Sequence, residues 1–214
     1  TVSSVYFPER DAVKLVSTPT TDIFDTDITD SVKVSFYNGT KVIDALSHFN
    51  GDIQGRIKYS EIDGELMASD FTIENSDLKI NLACADPSLS FMEMSKEETD
   101  RAFSVEGSIF QFDLLTTHVD KMKSLFNLER DEDTFTLAVT DKGVAVQGPS
   151  YDATLAHSYE GDNAVGEKVV IYKKYINLLD KENYKVVVCS NKVVFRSLDT
   201  NTHLTVAVAI TDED

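Results

Sequence analysis

The stretch YKKYINLLDKENYKVVV carries Lys173, Lys174, Asn177 and Lys181 at offsets of zero, one, four and eight residues. An amphipathic helix here would show them on one face, opposite Tyr172, Ile176 and Leu179. Ammonium groups so arranged suit loose contact with phosphates. Two further segments repeat the pattern. Lys121 and Lys123, with Ser124, flank a stripe of Val119, Met122, Leu125 and Phe126; Lys41 shares a face with Asp44 and His48 beside Val42, Ile43, Leu46 and Phe49. An ordinary solvated helix face has the same composition, so the lysines alone leave both readings open.

Other chemistry is sparse. His48, His118, His157 and His203 are far apart and none has a metal-ligand spacing such as H-E-x-x-H. The acidic run DIFDTDITD, with Asp22, Asp25, Asp27 and Asp30, lacks the central Gly and terminal Glu of a calcium loop. Cys84 and Cys189 lie inside strand-like runs, where free half-buried thiols are expected rather than a disulfide. Without a phosphate loop, nucleophile elbow or paired-Cys zinc motif, no enzyme, metal or cofactor is expected.

With 37 acidic residues against 20 basic ones, the 214-residue chain has a formal net charge of −17. The field of the whole molecule repels DNA, so any contact with nucleic acid must be local. The apolar runs fall far short of the ~20 residues that span a bilayer. The first fifteen residues, TVSSVYFPERDAVKL, show no apolar signal-peptide core.

Apolar residues alternate along Val32-Val34-Phe36, Phe71-Ile73, Leu78-Ile80-Leu82, Phe135-Leu137-Val139, Val144-Val146 and Leu204-Val206-Val208, the pattern of half-buried antiparallel strands. Asp63-Gly64, Asn75-Ser76-Asp77, Asp141-Lys142-Gly143, Ser190-Asn191-Lys192 and Asp199-Thr200-Asn201 supply turns between them. Three short helices are predicted: from Thr40 to near Asn50-Gly51, from Thr117 with Asp120 as its capping box, and around Tyr172 to Leu179. Each precedes a hairpin and then one more strand, so a helix-hairpin-strand unit occurs three times. Between the first and second units, Ala85 to Gly107 has no steady period. The expected organisation is an N-terminal domain over 1–93, a connector over 94–107 and a C-terminal domain over 108–214.

From Phe112 to Asp214 the chain resembles the DNA polymerase sliding clamps of T-even-type tailed phages. The similarity lies in the helix before DTFTLAVTDKGVAVQG, in SYEGDNAVGEKVVIYKKYINLLDKENYKVVV with its Asn-Tyr-Lys strand entry, and in the alternating last strand that runs into an acidic end. DSVKVSFYNGTKVIDALSHFN and Leu82-Ala83-Cys84-Ala85-Asp86-Pro87-Ser88 are similar to the same family. A more distant likeness is to the proliferating cell nuclear antigen.

The resemblance implies an α+β DNA-clamp fold: helix-hairpin-strand units in two similar domains with antiparallel sheets, three protomers closing into a ring lined by helices. It places the fourth helix before Thr1. It implies double-stranded DNA encircled without sequence readout, a clamp loader that opens the ring, and a DNA polymerase tethered through a docked peptide for processive synthesis. In phages of this type it adds late transcription, with an RNA polymerase or sigma-like factor as partner. The setting would be the cytoplasm of an infected bacterial host. Lys41, Lys121, Lys123, Lys173, Lys174 and Lys181 would face the DNA; Phe91, Met92, Met94, Ala209 and Ile210 would form the peptide pocket. Two rival readings are an all-β phage structural or adhesion module, and a non-ring processivity factor that binds DNA by charge. The repeated helical unit counts against the first and the charge of −17 against the second.

Overall fold

The computed structural model describes residues 2–18, 32–37, 39–86 and 94–209. DIFDTDITD lies outside them, as do Phe91, Met92 and Ile210. The chain divides into two compact units, Thr1–Asp25 with Met94–Asp214, and Thr26–Glu93. Among the described residues, no helix is long and apolar enough to cross a membrane.

The larger unit contains two antiparallel sheets. Strands β1 (Val2–Glu9) and β2 (Ala12–Thr18) pair with each other, and β2 pairs with β14 (Asn201–Ala207). Next to β14 come β13 (Lys192–Ser197), β12 (Tyr184–Cys189) and β7 (Ser108–Leu114), giving six strands in the order β1-β2-β14-β13-β12-β7. The opening hairpin therefore groups with the C-terminal half, because its second strand continues a sheet that β14 begins. The second sheet runs β10-β9-β8-β11 through Tyr151–Ala156, Gly143–Gly148, Thr134–Thr140 and Lys168–Tyr172.

Alternation fills the space between these sheets. Phe110, Phe112, Val186, Val188 and Phe195 come from the six strands; Phe135, Leu137, Val144, Val146 and Ile171 come from the four, all within one buried cluster. Each such side chain contributes roughly 1.5–3 kcal/mol by leaving water. Gly143, at φ +115, turns β8 into β9 where a Cβ would run into the Ala156 carbonyl.

Two helical segments close on the same cluster. Helix α3 (Thr116–Phe126; α1 and α2 follow below) buries Val119 and Met122 as its apolar spacing predicts. Its start differs from the expected Thr117/Asp120 box: the Leu115 N–H donates to His118 Nδ1 at 3.2 Å. The predicted helix over Tyr172–Leu179 is instead a six-residue 3-10 helix, Lys173–Leu178, entered from β11. Its ends are tied by tertiary partners: Lys173 N–H donates to the Asp133 carbonyl, the Leu178 carbonyl accepts from Lys14 Nζ at 3.2 Å, and Asp180 N–H donates to the Tyr184 hydroxyl at 2.9 Å. With those groups taken, the chain gains little by extending to a longer α-helix. Burial pushes the Tyr184 hydroxyl well above its ordinary pKa.

The connector also holds unforeseen structure. Helix α2 (Lys96–Phe103) starts at a full capping box, Ser95 with Glu98, and buries none of its residues. Its last turn is fixed by its carbonyls: Lys192 Nζ binds those of Arg101 and Ala102, Arg196 that of Phe103, and the Thr205 hydroxyl that of Ala102. Lys192, Arg196 and Thr205 lie on the face of the six-stranded sheet opposite the main core, where Val187, Val194 and Cys189 are also buried.

In the smaller unit, β3 (Val32–Lys33) leads to α1 (Gly39–Ser47), then the β4 (Gln54–Ile62) and β5 (Glu65–Glu74) hairpin and β6 (Lys79–Ala83). The turn at Asp63 and Gly64 has both φ values positive, as the sequence predicts. Among the described side chains of α1 the buried one is Ala45, whereas Ile43 and Leu46, expected inside, are exposed. Across both units the repeat stands: α1 precedes β4-β5-β6, α3 precedes β8-β9-β10, and the 3-10 helix precedes β12-β13-β14.

Candidate nucleic-acid interface

Helix α3 and the 3-10 helix touch, and their polar sides open into a cavity of about 620 Å³. Lys123, Lys173 and Lys174 line it, joined by Arg130 and by the carboxylates of Glu129, Glu132 and Asp133. Three of the six lysines singled out by spacing therefore converge, although not as a row of free ammonium groups.

Lys173 is the most committed. Only 12% of its side chain is exposed; its amine donates to the Glu129 carbonyl oxygen at 2.7 Å and sits 4.0 Å from Glu129 Oε2 and 5.4 Å over the Phe126 ring. Lys174 is exposed, 3.1 Å from Glu9 Oε2 and within 5.6 Å of the Tyr172 and 5.2 Å of the Tyr175 ring centres. The Glu9 hydrogen bond holds its pKa above the ordinary lysine value, so it stays cationic.

Lys181 does not share that face. The 3-10 helix ends at Leu178 and Leu179 is extended, so the helical i+8 relation of Lys181 to Lys173 is lost. Lys121 is on α3 but reaches away from the cavity, donating to the Thr154 carbonyl of β10 at 2.8 Å. Lys41 is exposed on α1 in the smaller unit. Arg130 and Glu129, in the loop after α3, carried no periodic signal; they come to the cavity because Glu129 Oε1 accepts the Ser150 N–H.

Of the expected peptide pocket, Met94 is half-buried just before α2 and Ala209 is buried. Val208 N–H donates to the Asn191 carbonyl and Ala209 N–H to that of Val170, so the segment after β14 joins both sheets. Among the described residues, no three His, Cys, Asp or Glu side chains gather as a metal site.

One titrating group lies beside α2. The His203 ring is 6.1 Å from Phe103, and its Nδ1 is buried with no hydrogen-bond partner among the described residues. Burial, then the charge of Arg196, pushes its pKa below the ordinary histidine value. The fold thus prefers neutral His203, a contribution complete above the unfolded pKa of about 6.5 and lost as pH falls through the lower folded value. His118 is shifted the same way. Melting temperature should therefore fall between pH 7 and 5, and His203→Gln should flatten part of that fall.

No family model matches the sequence, and no curated protein matches it. Solved structures do. The DNA polymerase sliding clamp from Bacillus subtilis aligns at a TM-score of 0.64 and 12% identity, over 94% of this chain and 52% of that one. The PCNA2-PCNA3 complex from Sulfolobus tokodaii gives 0.60 and 12%, over 96% and 85%. The Helicobacter pylori beta clamp bound to a DNA ligase peptide gives 0.57 and 13%, over 96% and 55%. The chain spans little more than half the length of the bacterial clamps it matches. At these identities the likeness is one of fold, and the α+β clamp fold that the resemblance implied is the fold the chain has.

Proposed function

We propose that the chain is a sliding clamp that assembles as a homotrimer, encircles duplex DNA and tethers a replicative polymerase, with a clamp loader to open it. The observation that carries this reading is the pairing of β2 with β14. In the repeat, β6, β10 and β14 are the third strands of their units, and β2 occupies the same place before the first predicted helix. Two of these four strands pair inside the chain, antiparallel from Asn201↔Ser17 to Val206↔Ala12. The other two have open edges: β10 ends its sheet, and β6 pairs only with β5 among the described residues. Joining β6 of one copy to β10 of the next repeats the internal contact and closes a ring. The two domains of each protomer would then divide as 1–93 and 108–214, joined by the 94–107 connector that holds α2.

In such a ring α1, α3 and the 3-10 helix face the duplex. Lys41, Lys123 and Lys174 meet phosphates from these helices and Lys181 from the bend that follows the 3-10 helix, Lys173 stiffens the wall through Glu129, and Lys121 joins them once its present contact is released. A protein gripping 6 to 10 phosphates loses ~10³–10⁵ in affinity between 50 and 200 mM salt. A closed ring needs no such grip, since it cannot leave sideways, and loose contacts let it slide. Tethering raises the polymerase's effective concentration at the primer end. Met94, Ala209 and the undescribed Phe91, Met92 and Ile210 form the peptide pocket; the ligase peptide on the Helicobacter pylori clamp supports that mode. The T-even-like sequence features extend the proposal to phage replication in a bacterial cytoplasm and to activation of late transcription.

The test is native mass by light scattering over a concentration series, followed by retention of loaded protein on nicked circular DNA and its loss on linearising that DNA. A single protomer at every concentration would remove the topological mechanism. In the same loaded assay, Lys123→Glu with Lys174→Glu and Lys181→Glu should cut polymerase stimulation severalfold and leave the mass unchanged.

A further inference from the structure

The β9–β10 hairpin fixes which backbone groups of β10 are free. Its two-residue turn, Pro149-Ser150, makes Gly148 and Tyr151 the first bonded pair; bonded and non-bonded pairs then alternate, so Ala153 bonds Val146 while Asp152 and Thr154 turn their N–H and C=O away from β9. By the same count from the Asn75 N–H to Leu78 carbonyl bond, Lys79, Asn81 and Ala83 of β6 point away from β5. Each strand thus turns an alternating row of backbone groups away from its own sheet, the form that antiparallel addition needs.

One of these groups is already engaged. The outward Thr154 carbonyl accepts Lys121 Nζ at 2.8 Å, across from α3. Burial, then the charge of Lys121, holds the pKa of the neighbouring His118 below the ordinary histidine value. Lysine is the side chain natural sheets use to blunt an exposed edge, and this one sits on the middle of the edge that the clamp reading assigns to a second copy.

We propose that Lys121 is a removable guard of the β10 edge. In the single protomer its amine covers Thr154 and discourages indiscriminate strand pairing; when β6 of a second copy docks, a backbone N–H takes the carbonyl and the Lys121 side chain is expelled. The displaced cation then becomes available on α3, so assembly releases one positive charge per protomer. This inference rests on the clamp reading for the identity of the incoming strand.

The experiment compares the assembly midpoint of wild type, Lys121→Met and Lys121→Arg by sedimentation velocity. Removing the guard should lower the midpoint concentration about tenfold, the size of one charge-assisted hydrogen bond no longer displaced, and Lys121→Arg should stay near wild type. If wild type assembles and Lys121→Met has an equal or higher midpoint, the guard is overturned while the ring stands. If no variant assembles at any concentration, the ring reading fails and the guard falls with it.

Discussion

Thr154→Pro is expected to leave a folded protein that scatters light as a single protomer at concentrations where the proposed ring gives the wild type the mass of three. The argument is local. Thr154 directs its N–H away from β9, so proline removes no bond from the hairpin, but it deletes a donor that an added strand requires and puts a ring in that strand's path. Asp152→Pro, at the other outward position, should behave alike. Far-ultraviolet circular dichroism close to wild type in both, with loss of retention on circular DNA, would tie the topological link to this edge. A trimer that persists in both variants would send the interface elsewhere.

Glu129→Ala is expected to be the most destabilising single change in the wall of the cavity. Glu129 is 8% exposed; one carboxylate oxygen accepts the Ser150 N–H, the other is buried beside the Lys173 amine, and its main-chain carbonyl holds that amine. Truncation leaves Lys173 nearly buried without its counter-charge, which costs about 3–5 kcal/mol. For a chain of this size that is a drop of roughly 10 °C in melting temperature. The double variant Glu129→Gln with Lys173→Met should recover much of it, because replacing both members of a buried pair with groups of similar shape is close to neutral. Tyr151, whose hydroxyl is pushed up to about 12 by burial and then by the Glu129 charge, should titrate nearer its ordinary value in Glu129→Ala.

What the sequence conveyed follows from where local and tertiary preferences agree. DTFTLAVTDKGVAVQG alternates strictly around a turn that needs Gly143, and it is a hairpin. The three units were visible because each pairs a helical stripe with such a hairpin. YKKYINLLD satisfies helical spacing as well, yet three of its backbone groups find partners in Asp133, Lys14 and Tyr184, and six residues of 3-10 helix suffice. Two of those partners, Lys14 and Asp133, lie far from Lys181 in sequence, so local spacing does not announce them. Other features carried an unused signal. Ser95-Lys96-Glu97-Glu98 is a capping box, enough to place α2 in a stretch with no apolar period. Phe110, Phe112 and Leu114 alternate as cleanly as any strand and form β7. For the site, residue type was informative and direction was not. Six lysines were named by face, but whether an amine meets solvent, Glu129 or the Thr154 carbonyl depends on loops and strands distant in sequence.

The pairing of β2 with β14 also bears on how the chain reaches its fold. About 180 residues separate Ser17 from Asn201, so closing this part of the sheet carries a large loop entropy and is expected late. On the ribosome, the β1–β2 hairpin would wait with one edge unsatisfied until β14 had emerged, while β8 to β11 could collapse sooner around their own turns. A chaperone binding the nascent hairpin, or a slow final refolding phase sensitive to substitutions in β2, would be the kinetic trace of a sheet sewn together from the two ends of the chain.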